Sequence, residues 1–316
     1  MKLRLFLTRT LTLAAIVIGC VLLYRNISRY SAEELLRSIY AIPFENAALS
    51  LVFTAASYVC LAGFDGTSLA YLGRRLPPPR VLLVSFVSLS IGHNVGVSML
   101  SSGAIRYRYY ARWGLTVAEV GQLIVFCGFT VALGIVTLSG SSMLLSLGRP
   151  QAASFLPPAA MTGLALALLA FPLCYLLAAR FLPRHIRIYK WHMKVPSWRL
   201  ALVQILVGTV NFLCVAACLY FLLKSLVDIQ FIDVALGYSI ANMLAILSHV
   251  PGGLGVLEAG LLYVLPGAVP FGALIAFRIV YFFIPLAFGV ILFLATELKN
   301  LRAGRASVRP GTYRSG

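Results

Sequence analysis

Acid is scarce in this sequence. Nine residues are Asp or Glu against 26 Lys or Arg, and charged residues of both signs make up only 11% of 316. A soluble domain carries about 25% charged residues. With 60% hydrophobic residues and a mean hydropathy of +0.93, the composition excludes a soluble globular protein. It leaves a polytopic helical membrane protein, built from long apolar runs. The formal net charge of +17 raises nucleic acid as a partner. The position of the cations excludes it: they stand in short loops between apolar runs, as the positive-inside rule requires.

Cysteine pairs are also missing. Cys20, Cys60, Cys127, Cys174, Cys214 and Cys218 each lie inside an apolar run, and no two form a CxxC pair. They read as small buried hydrophobes, with no disulfide framework. Four scattered histidines make no metal site, and no cofactor is implied. The chain has no nucleophile–base constellation and no nucleotide-binding loop. Gly252-Gly253-Leu254-Gly255 lacks the strand and acidic partner of a dinucleotide fingerprint. No enzyme activity is expected.

Apolar segments lie near 10–24, 46–72, 81–100, 117–138, 155–179, 200–223, 232–248, 254–269 and 271–296. Most reach the roughly 20 residues a crossing needs. Lys2, Arg4 and Arg9 before the first give it a signal-peptide look, but its apolar run continues through Cys20 to Tyr24, which favours an uncleaved span. If all nine crossed from a cytoplasmic N-terminus, the loop with Arg180, Arg184, Arg187, Lys190, Lys194 and Arg199 would lie outside. So would the tail with Lys299, Arg302, Arg305, Arg309 and Arg314. Both placements break the positive-inside rule. One change repairs them: segment 81–113 enters from the cytoplasm, turns within the membrane and returns. The outside loops are then 25–45, 139–154 and 224–233, where Arg25, Arg29, Arg37, Arg149 and Lys224 are set against Glu33, Glu34, Glu45, Asp228 and Asp233. The expected fold is an all-α polytopic bundle of about six to eight crossings, with one or two re-entrant helical hairpins. A single transmembrane domain spans 1–298, followed by a basic, disordered cytoplasmic tail at 299–316; both termini are placed in the cytoplasm.

Two glycine-broken segments carry most of the chemistry. The first contains Gly92-His93-Asn94-Val95-Gly96 and then Ser101 to Arg108. The second is Ser248-His249-Val250-Pro251-Gly252-Gly253-Leu254-Gly255-Val256-Leu257-Glu258, where Pro251, Gly252, Gly253 and Gly255 break the helix. Its path is open between a re-entrant hairpin and two short crossings. Interrupted segments in the two halves of a membrane chain point to a transport site. Non-helical backbone at membrane depth requires protein or a water-filled cavity around it, which His93, Asn94, Asn242 and His249 would help satisfy.

Asp65, Glu258 and Arg278 lie within apolar runs and are candidate charge partners, either lining a polar cavity or locking helices together. Arg106, Arg108 and Arg112 form a candidate anion site. Arg108 and Arg112 share one helix face, Arg106 and Tyr110 another. A guanidinium fork suits phosphate. Ser101-Ser102-Gly103 is expected to start a helix, whose free N–H groups favour anions. Tyr107 and Tyr110 suit a membrane interface. The same segment reads equally as an interfacial amphipathic helix with snorkelling arginines.

Ser102-Gly103-Ala104-Ile105-Arg106-Tyr107-Arg108-Tyr109-Tyr110 with Trp113-Gly114-Leu115-Thr116 resembles the flippase half of bacterial multiple peptide resistance factors, the lysylphosphatidylglycerol synthase/flippase proteins. Ser248 to Glu258 is similar to their second signature, Phe277 to Leu286 to an arginine–tyrosine–proline stretch, and Phe64-Asp65-Gly66 to an early aspartate. The likeness runs from about 45 to 296. It implies a bacterial inner-membrane location and movement of an anionic or aminoacylated phospholipid, or a related lipid, between leaflets. The residues themselves make Arg106, Arg108, Arg112, Ser102, Gly103, Tyr107 and Tyr110 the candidate head-group site. Full-length relatives continue into an aminoacyl-transferase domain, whereas this chain continues only into Lys299–Gly316, so synthesis of lysyl-lipid is not expected of it. The expected partners are membrane lipids. The alternative is a non-transporting partner or scaffold of a lipid-modifying enzyme.

Overall fold

Proline and glycine set the helix boundaries. Helix α1 (Phe44–Leu72) starts after Pro43 and stops at Gly73, whose φ of 73° is the left-handed conformation that closes a helix. Helix α2 (Pro78–Gly92) opens on prolines, which need no N–H partner in a first turn. Helix α3 (Ser98–Tyr110) runs into a short 3₁₀ turn at Ala111–Trp113 and ends at Gly114. Helix α4 (Val117–Leu145) begins with a capping box between Thr116 and Glu119. Helix α5 (Pro158–Phe181) follows, then α6 (Trp198–Lys224) capped by Ser197, and α7 (Phe231–Ser248). A 3₁₀ turn at Pro251–Gly253 leads to α8 (Val256–Val264), and α9 (Phe271–Phe277) passes through a π-helical turn at Arg278–Phe283 into α10 (Ile284–Ala306). The computed structural model describes residues 40–94, 98–148, 157–183, 185–188, 191–248, 251–265 and 269–306, with isolated positions from 31 to 37. The first apolar segment, near 10–24, and His249 lie outside the described residues.

Six helical stretches among the described residues are long and apolar enough to cross a membrane: α1, α4, α5, α6, α7 and the composite Phe271–Leu301. Helices α2 and α3 are not. At 1.5 Å per residue they reach about 20–22 Å, short of the ~30 Å hydrocarbon core. They pack against each other as a helical hairpin, in the segment where the charge pattern requires a turn inside the membrane. In the second broken segment α7 and α8 also pack together as a hairpin. Helix α8, with nine residues, is too short to cross.

The core has two main clusters. One gathers buried residues of α1, α2, α3, α4 and α10, including Phe64, Val87, Leu123 and Phe293. The other joins α4, α6, α7, α8 and α9, including Leu138, Leu219, Tyr238, Leu261 and Phe277. Helices α4 and α6 cross where neither has a side chain. A Cβ on Gly134 would sit 2.3 Å from the Gly208 carbonyl carbon. Without a hydrophobic drive between helices in lipid, such small-residue crossings are what allow close packing.

Two departures from the sequence reading concern the basic segments. The 180–199 loop contains a two-stranded antiparallel hairpin, β1 (His185–Ile188) with β2 (Trp191–Lys194), pairing His185 with Lys194 and Ile188 with Trp191. It is tied to α1 by Tyr71, whose hydroxyl donates to the Lys194 carbonyl at 2.7 Å, while Lys194 Nζ donates back at 3.1 Å. The tail expected to be disordered from 299 is helical as far as Ala306, because α10 simply continues. Residues 307–316 are not described.

Candidate functional site

The second break is held open by glycine and closed by charge. Gly252, Gly253 and Gly255 have φ of 58°, 60° and 80°, positive values that cost other residues about 1–3 kcal/mol each. The Glu258 carboxylate accepts the Gly255 N–H at 2.8 Å and caps α8. Arg278 reaches in from the opening of the π-helical turn. Its Nε and Nη2 donate to both Glu258 oxygens, the latter at 3.0 Å; Nη1 donates to the Gly252 carbonyl and Nη2 to that of Gly253 at 3.1 Å. One guanidinium therefore satisfies carbonyls that the glycine break frees from a helix. It is 2% exposed and lies 4.9 Å from the Phe282 ring centroid. A π turn often marks a functional position in a helix.

The first break meets the second. Asn94 Nδ2 donates to Ser90 O at 2.9 Å and to Phe282 O, in the π turn, at 3.5 Å. The position a Cβ would take on Gly252 lies 3.3 Å from the His93 carbonyl oxygen. The two hairpin tips thus touch inside the protein. Next to them, the Tyr58 hydroxyl and His93 Nδ1 are buried without a hydrogen-bond partner among the described residues. Their ring centroids are 6.4 Å apart.

Asp65, on α1, is fully buried and faces α3. Arg106 Nε donates to its two oxygens at 3.1 and 3.2 Å and Nη2 to Oδ1 at 2.7 Å; Tyr110 donates to Oδ2 at 2.7 Å. Arg106 Nη1 donates to Ser102 Oγ at 3.1 Å. Burial commits Arg106 and Tyr110 to this carboxylate, and Ser102 to Arg106. Gly103 gives α3 room beside α4, since a Cβ there would come within 2.8 Å of Ile124. Ser101-Ser102-Gly103 does not start a helix: α3 begins at Ser98, so these residues sit in its first turns and their N–H groups do not form a helix terminus.

A third ion cluster lies at the other end of the same helix. Glu297 on α10 is 3% exposed. It takes Arg108 Nε at 2.8 Å and Arg108 Nη2, and Arg112 Nη2 at 2.8 Å. The arginine side chains keep 17% and 33% of their surface exposed. Tyr109 bonds Thr296 beside them, the Arg112 guanidinium lies 5.6 Å from the Tyr109 ring, and Arg80 lies 5.2 Å from that of Trp113. Tyr107 remains 43% exposed.

The structure pairs Glu258 with Arg278 and Asp65 with Arg106, and gathers Arg108 and Arg112 on a partner the sequence reading did not name. Glu297 was the available signal: one of nine acids, at the end of the last apolar run. Also missed were the polar side chains inside spans. Ser57 donates to Asn211 Oδ1 at 2.8 Å and its hydroxyl is 2.9 Å from that of Tyr281. Gln204 accepts from Tyr175 at 2.6 Å and donates to Thr130 at 2.8 Å. Two amides on α6, in an otherwise apolar helix, marked these positions.

Comparison with known proteins agrees with these signatures. The family profile described as "Lysylphosphatidylglycerol synthase TM region" matches residues 12–292. The chain belongs to this family. Among members of known sequence it is similar to the uncharacterized protein slr0712 of Synechocystis sp., with 30% identity over 284 residues, or 89% of this chain and 88% of that one. It is also similar to the inner membrane protein YbhN of Escherichia coli K12, with 31% identity over 268 residues, or 81% and 83% of the two chains. The chain is a multi-pass helical membrane protein.

Proposed function

We propose that this member of the family is a lipid translocator of the bacterial inner membrane, moving an anionic or aminoacylated phospholipid, or a related lipid, between leaflets. The observation that carries the reading is the Arg108–Arg112 pair. It is partly exposed, four residues apart, and mounted on a hairpin too short to cross. Two forks on one carboxylate form a site that a phosphate can enter by displacing Glu297, because the two non-bridging oxygens of a phosphodiester accept a guanidinium fork as the two carboxylate oxygens do. Arg80 and Trp113 flank the entry. Arg106 serves instead to hold the hairpin to α1 through Asp65, and Glu258 with Arg278 holds the second break. Both termini and the 180–199 loop are placed in the cytoplasm by their lysines and arginines.

The test is lipid movement by the purified protein in vesicles containing labelled phosphatidylglycerol or its lysyl ester. Arg108→Ala and Arg112→Ala together are expected to reduce flipping at least tenfold with normal expression. Unchanged flipping in that double variant overturns the site, and no flipping by the wild-type chain with any anionic lipid overturns the function. A second reading, a scaffold for a lipid-modifying enzyme, is favoured by the β1–β2 hairpin, an ordered surface in the basic loop. Stable capture of such an enzyme, lost on deletion of 185–194, would support it.

A further inference from the structure

The helix order repeats. Phe44, Pro78 and Val117 open α1, the first hairpin and α4; Trp198, Phe231 and Phe271 open α6, the second hairpin and the α9–α10 helix. Each start in the second set follows its counterpart by the same interval to within one residue. Ser57 and Asn211, which bond to each other, are 154 residues apart, which is that interval. Cys60 and Cys214, neighbours one turn further on, stand at the same separation. Residues at equivalent places in two copies touch each other only where a two-fold axis passes.

The axis inverts the copies. Along α1, Ser50 contacts Cys218, Ser57 contacts Asn211, and Gly63 faces Val207, so α1 and α6 run antiparallel. Each hairpin packs on a helix of its own half, α1 or α6, and also on a helix of the other. The first packs on α10 of the other half, where a Cβ on Gly289 would lie 3.0 Å from Ser90 Cβ. The second packs on α4, with Ser139 Oγ donating to Met243 Sδ at 3.4 Å. The tips, entering from opposite ends, meet at His93 and Gly252.

We infer that Phe44–Leu145 and Trp198–Ala306 are inverted copies of one unit, joined by α5 and interlocked through their hairpins. The contact between the tips is the barrier an anionic head group passes, open to one face at a time. The second statement rests on the translocator reading; the inversion does not. Inverted repeats place a transport site where their broken helices meet.

Arg75 and Asp228 occupy equivalent loops and are both exposed. In membrane vesicles, Arg75→Cys is expected to react with an impermeant maleimide only when the cytoplasmic face is outside, and Asp228→Cys only in the opposite vesicles, with labelling of the unsubstituted chain as baseline. Reaction from one common face overturns the inversion whether or not any lipid moves. Leu254→Cys, at the tip, is expected to react from both faces. Oxidising a Ser90→Cys/Gly289→Cys pair removes reaction from one face, and a Ser139→Cys/Met243→Cys pair removes it from the other, each restored by reductant. The second pair stands alone if the first does not fold. Reaction from a single face, unmoved by either cross-link, overturns the alternating barrier. Alternating labelling with no flipping of any anionic lipid sinks the translocator reading and leaves the repeat standing.

Discussion

Arg106 points its Nε and Nη2 at the carboxylate of Asp65 with almost no water around either residue, at 3% and 0% side-chain exposure. The pair holds the first hairpin against α1, and its net worth is small because both charges were taken out of water. Its loss is another matter. Asp65→Ala leaves a buried guanidinium uncompensated, at a cost of about 3–5 kcal/mol. We predict a marked fall in melting temperature in detergent for Asp65→Ala, with substantial recovery in Asp65→Leu/Arg106→Met. A double variant less stable than both singles would contradict this.

The glycines of the second break differ in what surrounds them. A Cβ on Gly255 meets nothing within 4 Å, whereas one on Gly253 lies 2.7 Å from Ala245 Cβ. Gly255→Ala should therefore cost only the backbone strain of φ 80° and ψ −38°, about 1–3 kcal/mol. Gly253→Ala should add overpacking of about 1–3 kcal/mol. Thermal unfolding of the two variants side by side reads the order.

In the proposed head-group site, Glu297 and a phosphate compete for Arg108 and Arg112. Glu297→Gln keeps the shape and removes the charge, so phosphatidylglycerol should bind the detergent-solubilised variant severalfold more tightly than the wild type. Equal binding by both proteins would remove Glu297 from the site.

The α4–α6 crossing has no space for a methyl group. Gly134→Ala would drive a Cβ into the Gly208 backbone, while Gly163→Ala on α5 meets nothing within 4 Å. The first should cost about 3 kcal/mol or more. The second should be neutral or stabilising by up to about 1 kcal/mol, as for Gly replaced by Ala in a helix interior. Unfolding measurements on both distinguish packing from propensity.

The bundle was legible because hydropathy and charge are one-dimensional signals. The run lengths gave α1, α4, α5, α6 and the last helix, and the parity of Arg180–Arg199 against the tail required a turn within 81–113, where α2 and α3 form a hairpin. The faces were legible too: helical periodicity put Arg108 with Arg112 and Arg106 with Tyr110, and they do diverge, to Glu297 and to Asp65. The partners were not legible, because nothing local connects Arg108 to an acid 189 residues away. The start of α3 was missed by three residues because its first turn has no capping signature. The β1–β2 hairpin was hidden in a loop whose charges dominated the reading.

Distance along the chain also sets the order in which charges are neutralised during synthesis. Asp65 emerges 41 residues before Arg106, so α1 enters the bilayer carrying a carboxylate whose counter-ion has not yet been made. Glu258 and Arg278, 20 residues apart, arrive nearly together. Arg108 waits longest, through 189 residues, until the last helix delivers Glu297. The first hairpin is thus anchored early at Asp65 and fastened at its other end only once Glu297 has been made, so a nascent chain truncated before Glu297 carries the arginine pair without that carboxylate.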